Sequence, residues 1–72
     1  MHNEFTALIE PAPEGGFVAF CPEVREANGQ GETEREAVED LRQAIELVLQ
    51  CKREEALRAL SPAAHRVVVT LE

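Results

Sequence analysis

The stretch Gln30-Gly31-Glu32-Thr33-Glu34-Arg35-Glu36-Ala37 divides the chain into a strand-like half and a helical half. Thr33 and Glu36 have the spacing of a capping box, in which the hydroxyl accepts from the backbone N–H three residues on and the carboxylate reaches back to the cap's own N–H. Acids at 34 and 36 suit the positive end of a helix. Beyond this start, Ala37, Val38, Leu41, Ala44, Ile45, Val48 and Leu49 recur at steps of three and four, with Glu39, Arg42, Gln43, Glu46 and Gln50 on the opposite side. A helix running from Thr33 through Arg58 is about 39 Å long at 1.5 Å per residue, longer than a compact domain of this size is wide. It is expected to bend, break or project. Projection leaves Leu49, Ala56, Leu57 and Leu60 available to another subunit, while folding back on the sheet edge is the alternative.

Upstream, Glu4 to Glu10 alternate, with Phe5, Ala7 and Ile9 on one face, which predicts a half-buried strand. Pro11-Ala12-Pro13-Glu14-Gly15-Gly16 supplies fixed φ values and then residues that tolerate positive φ, as a hairpin requires. No helix start follows these glycines, so they do not form a phosphate cradle. Gly16 to Cys21 reads as a central strand, apolar on both faces, ended by Pro22. A third strand is expected around Ala27 to Gln30. After the break at Ser61-Pro62-Ala63-Ala64-His65, the β-branched run Val67-Val68-Val69-Thr70-Leu71 predicts a final buried strand. The expected architecture is therefore α+β, β-β-β-α-β, with one sheet in the order 3-2-1-4, a right-handed crossover and one long helix packed on a face. The leftover apolar side of that sheet (Leu8, Val18, Phe20) favours self-association.

Seventy-two residues make one domain, 1–72, of marginal stability when alone. Fourteen acids against seven bases give a net charge of −7, which repels a phosphate backbone and favours a basic protein partner. Phe5, Phe17 and Phe20 lack flanking bases and are read as core rather than as a base-stacking platform. No apolar run reaches the roughly 18 to 20 residues that span a bilayer. Cys21 and Cys51 lie far apart with no CxxC pair, so neither a disulfide scaffold nor a zinc site is indicated, and a reducing cytoplasm is expected.

Catalytic constellations are weak throughout. Glu34, Glu36, Glu39, Asp40 and Glu46 read as a solvated helix side, with Arg35–Glu39 and Arg42–Glu46 as i,i+4 neighbours. Asp40 is the single aspartate, so an Asp-rich metal cluster is not expected. His2 and His65 have no motif partner, Cys21 and Cys51 read as buried structural thiols, and Thr6, Thr33 and Ser61 offer no nucleophile motif. The reading is a non-enzyme without metal or cofactor.

Taken in order, Phe5-x-Ala-x-Ile9-Glu-Pro11, Glu14-Gly-Gly-Phe17-Val-Ala-Phe-Cys-Pro22-Glu, Gln30-Gly-Glu-Thr33-x-x-Glu36-Ala37 and the amphipathic helix resemble the HicB family of antitoxin-like proteins over nearly the whole chain. The resemblance implies a reduced ribonuclease H-like core that self-associates, lacks catalytic activity and masks HicA, a small basic ribonuclease. Many HicB antitoxins carry a further C-terminal DNA-binding module; nothing follows Glu72 here, so direct operator binding is not expected. The expected function is occlusion of a HicA-type toxin, with Glu10, Glu14, Glu23 and Glu26, which flank the strand ends outside the helix, as candidate contacts. The alternative is a self-assembling structural or regulatory protein with no nuclease partner.

Overall fold

The computed structural model describes residues 4–71; His2 lies outside them. Three short strands, β1 (Leu8–Pro11), β2 (Phe17–Phe20) and β3 (Asn28–Gly31), precede one helix, α1 (Glu34–Arg58). They form an antiparallel meander in the order β1-β2-β3, with Ile9 opposite Ala19 and Ala19 opposite Gly29. The β1–β2 connection turns where expected: Gly15 and Gly16 have φ of 106° and 75°, and the Ala12 N–H closes the loop on the Gly16 carbonyl at 2.9 Å.

Alternation decides which side the helix covers. Ala19 and Cys21 are buried on one face of β2 and, with Val24, Ala27, Ala37, Leu41 and Ile45, make the core, while Ala7, Ile9, Phe17, Ala44 and Val48 pack around it. Leu8 and Phe20 stay exposed on the opposite face, so the second apolar sheet side expected from the sequence exists. The core role expected for the phenylalanines holds only for Phe17, because Phe20 points to the uncovered face and Phe5, ahead of β1, is also exposed.

Helix and sheet approach closely because β3 turns glycines toward α1. A Cβ on Gly29 would lie 2.4 Å from both the Ala37 carbonyl oxygen and the Leu41 nitrogen, and one on Gly31 would lie 2.5 Å from the Glu36 Cβ. The third strand thus meets the helix backbone to backbone. Asp40 adds a polar tie, its Oδ2 accepting from the Gln30 N–H at 3.0 Å.

Two sequence expectations fail together at the C-terminal end. The helix is continuous to Arg58, capped at Ala59, and every described residue from Leu49 onward is exposed, so of the expected outcomes it projects. No fourth strand forms among the described residues: 67–71 carry no regular structure, so the order 3-2-1-4 and the crossover onto β1 are incorrect. The helix carries the chain away from the sheet. Val48 is the last helical residue against the core, and the ten residues to Arg58 carry the chain about 15 Å past it. A turn closed by the Ala64 N–H on the Ser61 carbonyl follows, and the segment after it stays exposed and unpaired with the sheet. Cys51, expected to be buried, is exposed for the same reason: it sits on the overshooting part of the helix.

Candidate functional site

The capping box forms as the spacing dictates. Thr33 Oγ1 accepts from the Glu36 N–H at 3.1 Å, and Glu36 Oε1 accepts from the N–H groups of Thr33 (3.2 Å) and Glu32 (2.9 Å). This fixes the start of α1 beside the β1–β2 turn, leaving an open groove between them. Its floor carries Phe17 and Val18, and its walls carry Glu14, Glu32, Glu36, Glu39 and Asp40 against the single base Arg35. The groove reaches the uncovered sheet face through Val18, Gln30 and Asp40, which also border a smaller depression at Phe20 and Asn28.

The four carboxylates singled out in the sequence divide into two pairs. Glu10 on β1 and Glu14 in the turn are exposed, and only Glu14 enters the groove. Glu23 is exposed but held by partners within the chain: its Oε1 accepts from the Thr6 N–H at 2.9 Å and from the Cys21 thiol at 3.3 Å, and its Oε2 accepts from the Thr6 hydroxyl at 2.7 Å. These donors, Thr6 first, stabilise the carboxylate and lower its pKa to about 2. Glu23 therefore ties the approach to β1 to the segment after β2. Glu26 pairs with Lys52 at 2.8 Å, which lowers its pKa and links the β2–β3 connection to the helix. The structure does not bring the four together into one surface.

Of the acids that line the groove, Glu14 was a sequence candidate, whereas Glu36, Glu39 and Asp40 were read as a solvated helix side and Glu32 was passed over. The signal that unites them is the hairpin's position over the helix start, which depends on the β2–β3 register and not on helical spacing. Arg42 donates to Glu39 through Nε at 3.1 Å and also meets Glu46. The pairing lowers the Glu39 pKa and raises that of Arg42. Glu39 thus goes to Arg42 and not to Arg35. No three His, Cys, Asp or Glu side chains among the described residues are grouped so as to hold a metal ion, and no described helix is long and apolar enough to cross a membrane. What the groove offers is negative charge over a small apolar floor, which suits a cationic side chain with an aliphatic stem.

Two curated proteins of Synechocystis sp. are similar to the chain. UPF0150 protein ssl0738 is 45% identical over 64 residues, 89% of each chain. UPF0150 protein ssr1765 is 39% identical over 46 residues, 64% of this chain and 58% of the relative. No family model and no solved structure matches.

Proposed function

The chain belongs to the UPF0150 family, and from that premise we propose that it is a non-catalytic binding module that occludes a small basic ribonuclease of the HicA type. The observation that carries this reading is the acid-walled groove continuous with an exposed apolar sheet face. Its support from the sequence is the HicB-like order of the hairpin, the Cys21-Pro22-Glu23 step, the capping box and the helix. Acids around apolar residues match the division of labour in protein interfaces, where charge steers encounter and apolar area supplies affinity. Glu14, Glu32 and Glu39 contact basic side chains of the partner in this reading, with Glu10 at the rim. Glu23 and Glu26, held by Thr6 and Lys52 within the chain, are not contacts in this reading. The excess of acid over base disfavours direct nucleic-acid binding by the same charge argument.

The test is inhibition of a purified HicA-type ribonuclease by the chain, with affinity measured by calorimetry at low and high salt. Stoichiometric inhibition that weakens with salt, and that falls at least tenfold on Glu14→Lys with Glu32→Lys, is the expected result. An absence of binding, or binding insensitive to both salt and these substitutions, refutes the groove as the contact surface.

A further inference from the structure

One edge of the sheet is closed and the other is open. At β3 the Gln30 N–H is taken by Asp40, and α1 lies against Gly29 and Gly31. At β1 the bond from the Ala12 N–H to the Gly16 carbonyl sets the alternation, and the register then turns the backbone groups of Glu10 and Leu8 toward β2. The Thr6 N–H points the same way, to Glu23. The N–H and C=O groups of Ala7 and Ile9 therefore point away from the sheet. Pro11, which has no N–H to offer, stands where the strand nitrogen also faces outward, the place on an edge strand that tolerates proline.

Both faces of β1 are unfinished as well. On the helix side Ala7 and Ile9 are only half-buried, although Ala19, opposite Ile9 on the central strand, is fully buried. On the other side Leu8 is 52% accessible and stands in register with Phe20, which is also exposed, and Glu10 is exposed on the same face. One extended segment laid along β1 meets all of these demands together. Its backbone takes up the groups of Ala7 and Ile9, while its alternate side chains extend the core on one face and cover Leu8 on the other.

Charge selects the source of that segment. Through Cys51 the sequence holds eleven acids and three bases, and Glu10 is the charged side chain on the open strand itself. A second copy of this acidic body brings like charge to the edge, and like charges directly opposite each other destabilise a strand pair. A basic protein brings the opposite charge to the same place.

We propose that the β1 edge takes up an extended segment of a basic protein partner as an added strand, apolar beside Ala7, Leu8 and Ile9 and basic beside Glu10. This rests on the proposed function for the existence of a basic partner and adds the mode of its capture. The groove at the start of α1 receives side chains, whereas the β1 edge receives backbone.

Residue-resolved amide exchange on the full chain, alone and with one equivalent of a purified HicA-type ribonuclease, tests the proposal together with affinity by calorimetry. The Ala7 and Ile9 amides are expected to exchange at nearly free rates in the chain alone and at least tenfold more slowly in the complex. Ala7→Pro removes one edge donor without touching the β2 pairing. It is expected to weaken binding at least tenfold, while the amides around Leu41 stay protected and report an intact fold. Leu8→Lys sets a base at an exposed position against the arriving basic segment and is expected to weaken binding by a similar factor, whereas Leu8→Val preserves it. A complex in which Ala7 and Ile9 still exchange freely overturns the added strand and leaves the ribonuclease reading to the groove alone. Affinity unchanged in both Ala7→Pro and Leu8→Lys also overturns it, and a ribonuclease that does not bind overturns both readings. Protection already present in the free chain and rising with its concentration gives the edge to a second copy and overturns the proposal as well.

Discussion

Gly29→Ala inserts one methyl group where the structure has no room for it. The new Cβ would stand 2.4 Å from the Ala37 carbonyl oxygen and the Leu41 nitrogen, whereas ordinary contact begins near 3.4 Å. The obstructing atoms are helix backbone, which cannot rotate aside as a side chain can. Relief therefore requires α1 to lift from β3 by about 1 Å, and that movement loosens Ala37, Leu41 and Ala19, three of the seven buried core residues. Overpacking costs about 1–3 kcal/mol in general; a rigid obstacle places this case near the upper end, at about 3 kcal/mol. Alanine's smaller unfolded-state entropy returns roughly 0.4–1 kcal/mol, leaving a net loss of about 2–2.5 kcal/mol. For a domain of this size each kcal/mol corresponds to roughly 4–8 °C in Tm, so a drop of at least about 8 °C is expected. Urea denaturation followed by circular dichroism at one fixed protein concentration measures it, since self-association would otherwise enter the comparison. Gly15→Ala is the control. At φ 106° with nothing within 4 Å of the added atom, it tests backbone conformation alone, with an expected cost of about 1–2 kcal/mol. A Gly29→Ala protein within about 0.5 kcal/mol of the parent would refute the backbone-to-backbone contact, because ordinary surface substitutions fall in that range.

Three further outcomes follow from the same geometry. Leu41→Ala removes the largest fully buried side chain and is expected to cost about 2–5 kcal/mol, enough to unfold much of the population of so small a domain in a denaturant titration. Thr33→Ala deletes the hydroxyl that accepts from Glu36 and is expected to cost about 1 kcal/mol, visible as a lower denaturation midpoint with an unchanged urea slope. Glu23 supplies a pH signature: its pKa is lowered from 4.5 to about 2 on folding, so its contribution is fully present above about pH 4.5 and is lost as pH falls toward 2. Glu23→Gln is expected to flatten the stability profile across that window and to leave its shape above pH 5 unchanged; an equally steep acid limb in the variant would refute the Thr6–Glu23 assignment.

What the sequence made legible was governed by local rules. Thr33 and Glu36 start the helix from nearby residues alone, and period-two alternation places Ala19 and Cys21 on one face of β2 and Phe20 on the other, but it does not say which face α1 covers, and for that reason Phe20 was read as core. The third strand was harder to read because its chemistry is that of glycine. Asn28-Gly29-Gln30-Gly31 has little strand propensity, and its place in the sheet comes from letting α1 approach, a tertiary reason that overrides the local one. The acidic groove was illegible for a related reason, since Glu14 and Glu39 meet only through the hairpin's position over the helix start.

The failed fourth strand is the more instructive error. Five consecutive residues from Val67 to Leu71 give a strong β signal, and that signal states what the segment can do once an edge is present. It does not say whose edge. The helix runs ten residues past the core, and the segment that follows stays exposed in this chain, so propensity and packing conflict within one molecule. Conflict of this kind is unusual in a self-sufficient domain, where local and global preferences agree.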